Sequence, residues 1–341
     1  MADHLDKPVM PFFVSERCSV SELVARMGGT SFQARNLAQG VDIWEKMLKE
    51  EVTIFFGLAG AMVPAGMREV LAYLIEKRFI DCLVSTGANL FHDLHETLGR
   101  KHFRGDPEAD DTELRQLGID RIYDVYISDD EFVEGEGYIA EFSRTLDQDR
   151  AYTTREYLFL LGKDLYAKTG SKGILTSAAK ANIPIYCPAI GDSALGIGVA
   201  RGRVKQENQL LFDVIKDIAE VTQIVLAASN TGVIYVGGGT PKNFIQQAEV
   251  TTYIFDKQVE GHKYAIQITS DAPHWGGLSG CTFEEAKSWG KQHKEAFTVT
   301  INSDATIALP IMVSALAERF GETVKERKRP TFELGQELEI E

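Results

Sequence analysis

The chain has 341 residues, 44% of them hydrophobic and 25% charged, with a formal net charge of −14. That length and composition bury one large core or two smaller ones without a staple. An acidic balance with scattered lysines and arginines argues against a nucleic-acid partner. Cys18, Cys82, Cys187 and Cys281 are too widely spaced for a CxxC pair or a zinc-ligand pattern, so reduced thiols and no metal are expected. The N-terminal run MADHLDKPVMPFFVSE lacks a basic segment followed by an apolar one. No apolar run approaches the roughly 20 residues that cross a bilayer, so the expectation is a cytoplasmic protein with no membrane partner.

In chain order, Ser21–Met27 and Phe32–Lys49 read as helices that precede any strand, an N-terminal helical extension over 1–50. Strand-length apolar runs follow at Thr53–Gly57 and Asp81–Ser85, with a helical period over Met67–Lys77 between them. Arg104–Thr112, RGDPEADDT, is an acidic loop with little to bury. Further strands are predicted at Ile122–Ile127, Ile183–Cys187, Gln223–Ala227, Gly232–Val236, Lys263–Ile268 and Phe297–Ile301. Helical periods lie at Asp130–Leu146, Arg155–Tyr166, Gln206–Glu220 and Thr306–Arg319. This alternation predicts an α/β domain over 51–327, with a mostly parallel sheet and helices on both faces. Residues 328–341 are polar and end acidic, which predicts a tail draped on the surface or disordered.

Several predicted strands run through small, flexible loops into helices, which is where open α/β sheets bind ligands. In VIYVGGGTPKNFIQQ, Gly237, Gly238 and Gly239 let a phosphate approach the backbone, and the next helix offers free amides. GLAGAMVPAG from Gly57 and STGAN from Ser85, with Thr86 and Gly87, are similar exits. None matches G-x-G-x-x-G, and each alone also reads as a tight turn without a ligand. Asp192, Asp271 and Asp304 each follow a predicted strand, where they can bond ribose hydroxyls, hold an amine or cap the next helix.

Cys281–Lys291, CTFEEAKSWGK, is the most informative stretch. Thr282 and Glu285 have capping-box spacing, so Glu285 has a structural reading beside a chemical one. Trp289 falls four residues later on the same helical face, placing an indole beside a carboxylate where a protonated amine fits. Gly290 ends the helix before Lys291. An imine-forming lysine must be neutral, which an apolar pocket favours; by spacing alone Lys291 also reads as a surface lysine near a helix C-terminus.

SWGK after an acidic residue, with NTGVIYVGGGTPKN, FFGLAGAMVPAGMREVL, IDCLVSTGANLFHDL, LRQLGIDRIYDVYIS, IPIYCPAIGDSALG and the NSDA turn, resembles the deoxyhypusine synthase family from about Gly40 to Arg319. The resemblance implies a Rossmann-like fold, homotetramers with active sites at a dimer interface, and NAD as a recycled hydride carrier. It implies transfer of the aminobutyl group of spermidine through an imine on Lys291, to a lysine of a translation factor or, in homospermidine-forming relatives, to a free diamine. By motif, Trp289, Glu285 and Asn243 fall in the polyamine site. Thr86, Gly87, Asp192, Gly238, Gly239, Asp271, Ser303 and Asp304 fall in the NAD pocket. Ala59–Ala61 stands where the family has Thr-Ser-Asn, His92 where it has a glutamate, Ile197 and Leu278 where it has amine-binding aspartates, and Asn243 where it has a histidine. The segment Ala272–Leu278, with His274 and Trp275, reads as an insertion. These departures leave open a non-catalytic NAD- or polyamine-binding protein. The reading as an ordinary NAD-dependent dehydrogenase has against it that the sequence offers no evident catalytic His or Ser/Tyr/Lys set.

Overall fold

The strands Thr53–Leu58 and Thr231–Val236 are buried at every position, as expected of a parallel sheet covered on both faces. The computed structural model describes residues 7–205, 207–277 and 280–341. Its central sheet has six strands: β1 (Thr53–Leu58), β2 (Cys82–Ser85), β3 (Ile185–Tyr186), β4 (Thr231–Val236), β5 (His262–Thr269) and β6 (Gln292–Asn302). They lie in the order β6-β5-β4-β1-β2-β3, and every neighbouring pair is parallel. The chain winds outward from β1 to β3, then returns to β4 beside β1 and winds the other way. This is the doubly wound Rossmann order, with its switch point between β1 and β4.

Alternate residues of each strand feed two cores. Ile54, Phe56, Leu58, Ile234, Val236, Ile266, Ile268 and Ile301 face one layer with Trp44 and Met312. Phe55, Val84, Val233, Tyr235 and Ala265 face the other with Ile224, Ile245 and Phe283. The two early helices form as Val20–Gly28 and Phe32–Lys49. The second is pressed onto the sheet at Gly40, where an added Cβ would lie 2.9 Å from Ile301 Cδ1.

Two predicted strands are corrected. Gln223–Ala227 is the last part of the helix Val214–Ala227, because Asp217, Val221, Ile224 and Val225 share one buried helical face despite their β-branched neighbours. That helix begins at Val214, later than Gln206, with Asp213 as its cap. Ile122–Ile127 is broken by a turn at Tyr123, whose φ is +54°, into the antiparallel strands Ile119–Ile122 and Val125–Ser128 of a separate small sheet. The C-terminal segment is a hairpin of Phe332–Leu334 and Leu338–Ile340. Phe332 and Leu334 join the second core, and the buried Arg155, paired with Glu220 at 2.7 Å, donates to Gly335 O at 3.0 Å. Apolar alternation and a distant arginine thus hold a stretch whose composition reads as a loose tail. Among the described residues no helix is long and apolar enough to cross a membrane.

Candidate active site

The strand exits are laced together along one edge of the sheet. Thr86 N donates to Leu58 O, Ala59 N to Val236 O, Gly237 N to Ile268 O and Ser303 N to Thr269 O. The loops after β1, β2, β4, β5 and β6 therefore form one continuous rim, and Ala59 and Gly237 meet at the switch point. Gly237 (φ +70°) and Gly239 (φ +58°) take left-handed backbone that side chains resist, so the loop turns sharply into the helix Gly239–Val250. That helix has no side-chain cap, and neither does Gly87–Thr97, which starts after Thr86. Both leave first-turn amides for an anion. Gly87 is required for another reason: a Cβ there would overlap Ser193 Oγ and Cβ and touch Cys187 Sγ at 3.4 Å. Close packing brings the Asp192–Ser193 loop against Thr86–Gly87.

The three aspartates divide. Asp304 caps the helix Ala305–Phe320, accepting from Thr306 N at 2.7 Å and Thr306 Oγ1 at 2.8 Å. Among the described residues, Asp271 accepts its neighbour's amide alone, Ala272 N, at 3.1 Å. Asp192 is exposed and does not cap; the cap of Ala194–Val204 is Ser193. A cavity of about 650 Å³ lies between Ala61–Gly66, His102, Tyr123 and Asp304, beside this rim. The uncapped helices, the glycine cradle and the carboxylates at the rim fit a dinucleotide.

The lysine segment folds as the helix Phe283–Ser288 with both arms of the capping box formed: Glu285 N donates to Thr282 Oγ1 at 3.1 Å, and Thr282 N to Glu285 Oε2 at 3.4 Å. Glu285 thus performs the structural task. Lys291, half-buried, follows Gly290 (φ +71°) and enters β6. Its Nζ donates to Asn243 Oδ1 at 3.4 Å and lies 5.4 Å from the Trp289 ring. The structure thereby joins Lys291, Asn243 and Trp289. Trp289 is 65% exposed, so in the single chain it is an open face and not the closed apolar wall that its position suggests.

A second lysine, missed in the sequence, lies under the first. Lys242 is 1% exposed; its Nζ donates to Cys281 O at 2.6 Å and Gln267 Oε1 at 3.0 Å, while Gln267 Nε2 holds Gly237 O at 2.9 Å. Burial pushes its ammonium down to about 8, and the charge of Lys291 acts in the same direction. The lysine segment and the glycine loop are thus tied through one buried cation. The only sequence signal was its place beside Asn243 in GGGTPKN.

The departures also have places. His92 is buried, with Nδ1 2.9 Å from His102 Nε2, and His102 Nδ1 lies 2.7 Å from Glu96 Oε1. Burial, then the charge of His102, hold His92 down at about 3, so it is a neutral imidazole tied to its neighbour. Ile197 is exposed on Ala194–Val204. His274 and Trp275 form an exposed short turn, and Leu278 lies outside the described residues. Among the described residues no cluster of His, Cys, Asp and Glu could hold a metal ion.

The family model described as deoxyhypusine synthase matches residues 22–316. "Probable deoxyhypusine synthase 2" of Methanosarcina mazei is 52% identical over 92% of this chain and 90% of its own length. The protein of the same name from Archaeoglobus fulgidus is 46% identical over 90% of this chain and 99% of its own. In fold, the chain is similar to a candidate deoxyhypusine synthase of Entamoeba histolytica, with a TM-score of 0.62 at 18% identity, covering 90% of this chain and 96% of that one. The family supports an aminobutyl transferase function, with a polyamine substrate, a protein or amine acceptor, and a dinucleotide cofactor in general. On the family model and on these relatives, the chain belongs to the deoxyhypusine synthase family.

Proposed function

We propose that this protein is an NAD-dependent transferase that takes the aminobutyl group of a polyamine such as spermidine as an imine on Lys291. The observation that carries the reading is the placement of Lys291 Nζ at 3.4 Å from Asn243, on the helix that springs from the glycine loop. Gly237–Gly239, Thr86, Gly87, Asp192, Asp271, Ser303 and Asp304 would hold NAD, which supplies a hydride acceptor when bound. Phosphates suit the uncapped amides of Gly239–Val250 and Gly87–Thr97, and the exposed carboxylate of Asp192 suits a ribose.

The chain's own groups then have defined tasks. Asn243 orients the Lys291 amine by accepting a hydrogen bond from it. The neutral amine adds to the oxidised carbon of the donor, and the rest of the polyamine departs as a free amine. Trp289 offers its face to a cationic chain, and Glu285, exposed at the head of the same helix, supplies negative charge nearby. Assembly as a homotetramer would cover exposed Trp289, Ile197, Tyr253 and Ile307 and close the site against water. The acceptor is a free diamine or a lysine of a translation factor, in the cytoplasm.

Protein incubated with NAD, spermidine and putrescine, then quenched with borohydride, should carry an aminobutyl mass on the Lys291 peptide that is absent from Lys291→Ala. Homospermidine in the supernatant would identify a diamine acceptor, and the adduct without it a protein acceptor. No adduct across a panel of polyamines, with NAD still bound, would leave a non-catalytic binding protein.

A further inference from the structure

At the end of the sheet opposite the laced rim, a cavity of about 480 Å³ is lined by Glu76, Lys77, Arg78, Ser177, Lys180, Ala181, Lys325 and Arg329. Arg78 sits in the turn that leads into β2, and Lys180 in the helix Ile174–Ala181 that leads into β3, so the cavity lies where these strands begin and the laced rim where they end. Five cations around one cavity are unexpected in a chain of net charge −14.

The local carboxylates are already committed. Glu322 serves both Lys77 and Lys325, and Glu76 accepts from Lys172 at 3.0 Å and Ser177 Oγ at 3.0 Å. Asp81, the acid whose field reaches both arginines, is bound by Arg327 at 2.5 Å and by Ile54 N at 2.8 Å. Among the described residues, Arg78, Lys180 and Arg329 have no carboxylate within ion-pair distance. Arg329 donates only to the carbonyls of Lys325 and Arg327, and Lys180 only approaches the Tyr166 ring, at 5.9 Å.

Arg78 and Arg329 are both partly buried. Burial, then repulsion from neighbouring guanidinium groups, holds each below the usual arginine range. Arg78 also takes left-handed backbone, φ +63°, which costs a side-chain-bearing residue energy and sets the direction in which its side chain leaves the turn. Partly buried cations without counter-charges are unfavourable unless an anion joins them. The volume lies in the range of small-ligand sites.

We propose that the cavity formed by Arg78, Lys180 and Arg329 is a binding site for a small phosphate-bearing anion, separate from the dinucleotide rim. Two guanidinium forks suit the oxygens of a phosphoryl group, the Lys180 ammonium adds a point charge, and the rest of the cavity, beside the Lys77–Glu322–Lys325 bridge, takes a second phosphoryl group. Filling the site replaces repulsion between cations by ion pairs, so the bound state resists unfolding at the β2 and β3 end of the sheet.

The test is calorimetric titration of the full chain with inorganic pyrophosphate, orthophosphate and AMP at constant ionic strength, with excess NAD present to fill the rim. Arg78→Gln, Arg329→Gln and Lys180→Gln are compared with Lys257→Gln, a remote exposed control, each checked for an unchanged melting profile. Pyrophosphate should bind more tightly than orthophosphate. Its Kd should weaken at least about tenfold in either arginine variant, several-fold in Lys180→Gln and not in the control, and it should rise with added salt. AMP binding that is lost in the same variants would make the ligand a nucleotide; pyrophosphate alone would make it a free polyphosphate. Pyrophosphate affinity unchanged in Arg78→Gln and Lys180→Gln, or no binding to the wild type, would overturn the proposal. Lys180→Gln alters only an exposed helix position, so the test survives if an arginine variant fails to fold.

Discussion

Replacing Gly87 with alanine tests whether the cofactor rim depends on the close approach of two loops. The new Cβ would overlap Ser193, whose Oγ donates to Ile190 O at 2.7 Å and accepts from Gly196 N at 3.5 Å as a helix cap. Moving Ser193 away forfeits the cap, about 1 kcal/mol, and the hydrogen bond, about 1 kcal/mol, with residual strain of about 1 kcal/mol. The expected loss is about 2–4 kcal/mol. With an unfolding entropy of about 2.1 cal/mol/K per residue, Tm falls by roughly 3–6 °C. NAD affinity should fall in parallel, because Thr86 and the amides after it shift. Ser193→Gly forfeits the cap but makes room, so the double variant should lose little beyond Ser193→Gly alone, a coupling of at least about 1 kcal/mol. Thermal melts and NAD titrations of the four proteins measure the cycle. A Gly87→Ala loss below about 0.5 kcal/mol, or additive losses in the double variant, would refute the packing argument.

Acid should weaken the fold through its histidines. His92 is held down at about 3 and His95 at about 4, in both cases by burial first and the charge of His102 next. Unfolded, both take a proton near 6.5, so the unfolded state binds more protons in between; their contribution is complete above about pH 6.5 and is lost as pH falls toward 4. Urea midpoints should drop over that window, and less steeply in His92→Phe; equal slopes would count against the assignment. Lys242→Met removes the cation joining Cys281 O, Gln267 and, through it, Gly237. Hydrogen bonds to a charged group hold about 1.5–3 kcal/mol of positioning, so borohydride-trapped adduct on Lys291 should form roughly tenfold more slowly or worse. An unchanged rate in a folded variant would show that Lys242 does not position Lys291.

Much of this protein is local and therefore legible in the chain. Apolar runs bounded by glycine predicted β1, β2, β4 and β5, T-x-x-E predicted the capping box of Thr282 and Glu285, and the spaced motifs around SWGK predicted the family. Those features depend on neighbours in sequence, or on segments whose order along the chain is itself the signal. Gln223–Ala227 was misread because Val and Ile suit a strand or a buried helix, and only packing against Ile245 and Ala248 distinguishes them. The same limit applied to the aspartates: Asp304 and Asp192 both lie between a strand and a helix, yet one caps its helix and the other leaves that task to Ser193. Lys242 and Lys180 are both helical lysines, one beneath Lys291 and one at the far end of the sheet. Which is buried depends on the groups that surround its ammonium, and these come from segments far apart in the chain. Hydrophobic pattern and turn chemistry determined the elements; the strand order and the desolvation of particular charges were decided by tertiary structure, because burial is a property of the assembled neighbourhood.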